Sequence, residues 1–308
     1  MSRMSTPEAR RRLLLVHAHP DDETISTGAT MAKYAAEGAH VALVTCTLGE
    51  EGEVLVPDLA HLASDREDAL GRQRIIERKQ AMAELGVSDY RFLGGAGRFR
   101  DTGMAWGDGG QAVPPAEVRH DTFWAADLRE ASDELVAVIR EVRPQVLVTY
   151  DEMGGYGHPD HIQAHRVATY GAALAAAPSY RPDLGAAWDV PKIYWSAMPR
   201  SAIEAGIVAM REIGSDFFGV DSADDMPFAV PDEFLTAKID GMAWVEQKMA
   251  AMRAYVTQIA LDGPFFQLPD QLGPQVWGAE NYVLVKGSPG PIDPGSGLES
   301  DLFAGLGV

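Results

Sequence analysis

Apolar residues come in short unbroken runs separated by amphipathic stretches. Leu13–Ala18 is one such run, with no polar alternation, and reads as a strand buried on both faces. A helical pattern follows over 24–38 and closes at Gly38. The β-rich run 40–47 predicts a second strand, and the charged amphipathic stretch 64–85, ending at Gly86, a second helix. Further strands are predicted at 90–93 and 145–150, with helices at 122–142 and 159–177. The last of these carries Pro159 in its first turn, where a missing N–H costs nothing. Such alternation predicts an α/β fold, a Rossmann-like, mostly parallel sheet with helices on both faces.

The second half is less regular. A strand is expected at 192–196, helices at 201–212 and 233–259, and a late strand at 281–285. The expected organisation is a catalytic core over residues 1–180. Residues 181–308 form a C-terminal portion packed on it and walling the cleft. Long non-periodic stretches at 48–63, 94–121 and 214–232 hold much of the Gly and Pro, and loops of that length are usually functional.

Charge narrows the partners. The 308 residues carry 26 Lys+Arg against 45 Asp+Glu, a net charge of −19. That surface disfavours nucleic acid and anionic membrane, whose binding rests on cationic contacts. A small-molecule partner is expected, and oligomeric state is not readable. The single cysteine, Cys46, excludes an intrachain disulfide and fits a reducing compartment. The basic residues before Leu13 mimic a signal peptide, but the apolar run is too short and breaks into His19-Pro20-Asp21-Asp22; the expected location is cytoplasmic.

Five of the eight histidines fall in two segments. His17-Ala18-His19-Pro20-Asp21-Asp22-Glu23 follows the first strand. Tyr156-Gly157-His158-Pro159-Asp160-His161 follows the fourth, with His165 one turn on. Both lie at carboxyl ends of parallel strands, where open α/β sheets bind ligands. In a sheet ordered 3-2-1-4-5 they face each other. Imidazole and carboxylate suit Zn²⁺, with Fe²⁺ also compatible, and a catalytic site takes three protein ligands. His19, Asp22 and His161 can supply them. Asp21, next to a ligand, is free to act as general base. His158 can donate to a developing oxyanion or to the leaving group, Tyr156 can add another oxyanion donor, and Asp160 can orient an imidazole; either Asp21 or His158 can protonate the leaving nitrogen. Alone, His17 reads as a structural residue, and Asp21 or Asp22 as a helix N-cap. Gly94-Gly95-Ala96-Gly97 lacks the spacing of either standard phosphate-binding fingerprint.

The paired segments His19-Pro20-Asp21-Asp22-Glu23 and His158-Pro159-Asp160-His161 resemble the signature of the LmbE-like (PIG-L) zinc N-deacetylases. The stretches 45–54, 93–98 and 101–104 are most similar to the branch acting on N-acetylglucosaminyl-inositol in mycothiol biosynthesis. The resemblance implies a Rossmann-like core, removal of an N-acetyl group from an amino-sugar inositol, one zinc on His19, Asp22 and His161, and Asp21 as base. It places His158, Tyr156 and Asp160 beside the reacting centre. Substrate contacts map onto Arg74, Asp101, Glu53 and Met104. Two rival readings are an amidase cleaving mycothiol S-conjugates and a sugar- or nucleotide-binding module without turnover. One departure stands in the late stretch 254–258, where Tyr255 occupies the place of an expected histidine.

Overall fold

The computed structural model describes residues 11–214, 217 and 219–308. The basic stretch ahead of residue 11 lies outside the described residues. Strand β1 (Arg12–His17) leads into helix α1 (Asp22–Ala36), followed by β2 (His40–Thr45), α2 (Leu70–Glu84) and β3 (Asp89–Phe92). A small hairpin, β4 (Ala105–Trp106) and β5 (Ala112–Val113), precedes α3 (Leu128–Val142) and β6 (Val146–Thr149). A single turn, α4 (Gly154–Gly157), then abuts α5 (Pro159–Ala176). The remainder comprises β7 (Lys192–Pro199), α6 (Arg200–Glu212), β8 (Ala229–Val230), β9 (Ala237–Asp240), α7 (Val245–Ala254), α8 (Pro264–Leu272), α9 (Gln275–Gly278) and β10 (Ala279–Lys286).

The main sheet runs β3-β2-β1-β6-β7-β10-β9, with β8 extending beside β7. Its first five strands are parallel, in the expected order; β10 and β9 join antiparallel. The sheet therefore continues from the first half of the chain into the second. Alternate residues of the central strands feed two apolar cores. Leu13, Leu15, Leu43 and Val148 face one; Leu14, Val16, Val44 and Leu147 face the other. Burial on both faces is why these strands show unbroken apolar runs.

Three sequence expectations are corrected. The second helix starts at Leu70, not at 64, because Arg100 pairs with Asp68, which sits in a left-handed turn (φ 49°). The third starts at Leu128, where the Asp127 carboxylate caps Arg129 N and Glu130 N. The long helix expected at 233–259 is broken. Its first part forms strand β9, whose alternating burial matches a sheet edge, and only 245–254 is α-helical. Among the described residues, no helix is long and apolar enough to cross a membrane.

Candidate active site

The β1–α1 turn and the β6–α5 connection meet because β1 and β6 are hydrogen-bonded neighbours. The strand order reverses there, with β2 on one side of β1 and β6 on the other. His19 Nδ1 lies 3.3 Å from Asp22 Oδ2 and 3.3 Å from His161 Nε2, and His161 Nε2 lies 3.4 Å from Asp22 Oδ1. Tetrahedral donors on bonds of about 2.0–2.1 Å stand about 3.3–3.4 Å apart; the two imidazole nitrogens meet that spacing, and each lies at it from a different oxygen of Asp22, so the three side chains can surround one metal ion. The surroundings also fit: Asp21, Asp22, Glu23, Asp101 and Asp160 crowd this region with carboxylates, and Arg74 is the guanidinium paired among them.

Each donor is held from behind. Asp22 Oδ2 accepts hydrogen bonds from His19 N (2.8 Å) and Tyr150 Oη (2.8 Å), which turns Oδ1 toward His161. The Tyr150 ring stacks on His161, with centroids 4.3 Å apart. His19 Nε2 lies 3.3 Å from Asp160 Oδ2 and 3.5 Å from Asp101 Oδ1. Those carboxylates are themselves anchored: Asp160 accepts from the amide and hydroxyl of Thr102, Asp101 from the amides of Glu51 and Gly103. A carboxylate behind an imidazole fixes its tautomer and raises its basicity as a ligand.

Two other triplets share the space, His19 with His158 and His161, and His19 with Asp101 and Asp160. The second is already committed to backbone amides and to the far nitrogen of His19. In the first, His158 Nδ1 accepts from Asp160 N (3.1 Å) as the N-cap of α5. The set containing Asp22 matches both donor spacing and charge.

The same cap decides what His158 can do. With Nδ1 accepting from an amide, a neutral ring carries its proton on Nε2. Burial, with His19 and His161 close by, keeps its pKa well below the usual histidine value. His158 is therefore a buried, neutral N–H donor. Tyr156 lies beside it, its ring 5.1 Å from His161 and 6.0 Å from His158. Its hydroxyl is held protonated by burial and by the negative charge of Asp22.

Asp21 has an unusual backbone, with φ 123° at a non-glycine residue. It occupies the N-cap position of α1, yet its side chain caps nothing. Instead Glu23 Oε2 accepts from Asp21 N (3.1 Å), leaving the Asp21 carboxylate free to point away. Arg74 Nη2 approaches its Oδ2 at 3.0 Å. Burial pushes the Asp21 carboxyl up to about 7, against the opposing pull of Arg74. Asp22 is driven the other way, well below the carboxylate range, because His161 and His19 outweigh its burial. Two adjacent acids thus differ in charge preference.

Arg74 is buried and also donates to Gly49 O (2.9 Å) and Pro20 O, so it ties α2 to two cleft loops. Asp101 is buried against His19, whereas Met104 and Glu53 are exposed. Three contributors escaped the sequence reading. Tyr150 directly follows β6, and its place at a strand's carboxyl end is the signal that marks it. Thr102 carries no sequence signal of its own. Glu23, inside the first motif, holds the Asp21 peptide. His17 lies between Tyr150 and Thr27 in the core, and burial pushes the Cys46 thiol up.

A doubly wound sheet with a His/Asp/His donor set and a spare carboxylate at its switch point has the layout of a metal-dependent hydrolase. The chain belongs to the PIG-L family, described as GlcNAc-PI de-N-acetylase, whose family model matches residues 14–172. It is 62% identical to the 1D-myo-inositol 2-acetamido-2-deoxy-alpha-D-glucopyranoside deacetylase of a Nocardioides species, over 96% of this chain and 99% of that protein. It is 61% identical to the protein of that name from Kribbella flavida, over 96% and 98% of the two chains. Among solved structures, the N,N'-diacetylchitobiose deacetylase of Pyrococcus horikoshii aligns at 17% identity and TM-score 0.58, covering 91% of this chain and 85% of its own. GalB, a 4-carboxy-2-hydroxymuconate hydratase from Pseudomonas putida, aligns at 18% and 0.60, covering 92% and 99%. Since a hydratase shares the fold, the reaction has to be argued from the site.

Proposed function

We propose that this protein is a zinc-dependent hydrolase that removes the N-acetyl group from N-acetylglucosaminyl-inositol. The observation that carries the chemistry is the convergence of His19, Asp22 and His161 beside the Asp21 carboxylate, which caps no helix and is held by Arg74. The substrate follows from the relatives that share about 60% of this sequence over nearly its whole length.

His19 through Nδ1, His161 through Nε2 and the carboxylate of Asp22 would hold the metal. When bound, it polarises the amide carbonyl and lowers the pKa of the attacking water. Asp21 accepts the water proton as the oxygen–carbon bond forms. His158 donates its Nε2–H, and Tyr156 its hydroxyl, to the negative oxygen of the tetrahedral intermediate. His158 has its other nitrogen occupied and resists a second proton. The proton carried by Asp21 is therefore the one returned to nitrogen as the carbon–nitrogen bond breaks, giving acetate and the free amine. Arg74 holds Asp21 in place, and Asp101 and Asp160 hold His19. Glu53 and Met104 stand on the cleft loops where the inositol side of the substrate would lie.

Two variants separate these roles. Asp22→Ala should lose bound zinc and acetate release together. Asp21→Asn should retain zinc with kcat reduced by several orders of magnitude. Near-normal turnover in Asp21→Asn would remove it as the base. Full activity after exhaustive chelation would remove the metal.

A further inference from the structure

The C-terminal portion reaches the first motif through Tyr255. Tyr255, just after α7, is fully buried, and its hydroxyl donates to Glu23 Oε1 at 2.5 Å. Glu23, in the first turn of α1, is also fully buried. Its other oxygen accepts from the Asp21 amide (3.1 Å), the peptide whose φ of 123° is the least ordinary of any non-glycine residue described. A non-glycine residue in that region is strained and persists only where its surroundings over-determine it.

We infer that Tyr255 is a positioning residue for Asp21: by fixing one oxygen of Glu23 it aims the other at the Asp21 peptide, and so sets where the Asp21 carboxylate points. This rests on the reading of Asp21 as the general base. Tyr255 is itself rigidly mounted. Two residues on, Thr257 donates its amide (3.3 Å) and hydroxyl (2.8 Å) to Glu77 of α2, one turn beyond Arg74. Thr257 O accepts from Leu55 N (3.0 Å), and Gln258 Nε2 donates to Glu53 O (3.1 Å). The segment that carries Tyr255 thus grips the helix that supplies Arg74 and the cleft loop 49–55. Asp21 is held on its carboxylate by Arg74 and on its peptide by Glu23, and both holds lead back to residues 255–258. An ordinary packing role would need only the ring, which lies in the apolar core; the hydroxyl is aimed at a carboxylate whose second oxygen serves the base.

The test uses the full-length, metal-loaded protein. Tyr255→Phe keeps the ring and removes the donor. It should lower kcat by ~10- to 100-fold, the scale of a misplaced reacting group, with KM and bound zinc little changed; Tm should fall modestly, because buried Glu23 loses a donor. Glu23→Gln gives a second, independent break in the same chain and should also lower kcat. The double variant should be no worse than the more severe single, since both act on one contact. A Tyr255→Phe kcat within twofold of the parent, multiplicative losses in the double variant, or a fall in bound zinc would each overturn the inference. Asp21→Asn is measured alongside. If it retains turnover, the base assignment itself has failed; if it is inactive while Tyr255→Phe is unimpaired, only the positioning role has failed.

Discussion

Removing one hydroxyl, in Tyr150→Phe, should weaken metal binding without touching a ligand. Tyr150 Oη donates to Asp22 Oδ2 at 2.8 Å, accepts from Ala18 N at 2.9 Å and lies 3.2 Å from His17 Nδ1. The first is a hydrogen bond to an ionised group, worth about 1.5–3 kcal/mol. Its loss leaves Asp22 Oδ2 held by the His19 amide and no longer by Tyr150, which loosens the carboxylate whose Oδ1 faces His161. At about 1.4 kcal/mol per tenfold, that energy corresponds to a ~10- to 100-fold rise in the zinc Kd, the range found for groups that orient metal ligands. The stacked ring remains in phenylalanine, so His161 keeps its support and the effect should fall on Asp22 alone. Competition against a chromophoric chelator at fixed pH gives the Kd directly. Tm of the metal-free protein, expected to fall because Ala18 N loses its buried acceptor, monitors the stability cost separately. A zinc Kd within twofold of the parent would refute the idea that Tyr150 orients Asp22.

Other consequences are as direct. His158→Ala should lower kcat ~10²- to 10³-fold with zinc retained, and an unchanged kcat would remove the oxyanion role. Gly157→Ala should impair activity more than folding. At φ 97° its Cβ would stand 2.5 Å from Ala112 O, so the chain between Tyr156 and His158 must shift; a crystal structure with both rings in place would contradict this. Lys248→Met leaves Glu280 buried without its cation, 2.7 Å away in the intact protein. The amides of Ala29 and Thr30 still serve that carboxylate, so the cost should be near the low end for a broken buried pair, about 3 kcal/mol by urea unfolding. A loss below about 1 kcal/mol would mean the ion pair contributes little.

Much of this architecture is legible in the sequence because burial on both faces writes itself as unbroken apolar runs. Leu13–Ala18 and 145–150 mark two central strands, and right-handed connections then bring their carboxyl ends together. The donor residues were legible for the same reason, as polar residues placed directly after buried strands. Helix beginnings were less so. Stretch 64–69 is as charged as a helix surface, and only the tertiary pairing of Arg100 with Asp68 keeps it out of α2. For α3 the signal is local: Asp127 followed by Glu130 is a capping pattern that marks the start at Leu128. The residues that hold the ligands were mostly hidden. Tyr150 shows only as a strand-end residue and Tyr255 only as a departure from an expected histidine, because their role lies in where one oxygen points. Arg74 sits in a helix whose sequence looks solvent-facing, and only the fold turns it onto Pro20, Gly49 and Asp21. Strand β9 was lost inside an expected helix because four alternating residues at a sheet edge are too few to outweigh the helical pattern after them.

The central claim is that this site hydrolyses the acetamide of a glucosaminyl-inositol. The most direct test is amine release by the zinc-loaded protein, comparing kcat/KM on N-acetylglucosaminyl-inositol with kcat/KM on a mycothiol S-conjugate. A ratio well above tenfold in favour of the acetylated sugar is the predicted result. Preference for the conjugate would make the protein an amidase of cysteinyl amides, and absence of turnover on both would contradict the hydrolytic reading altogether.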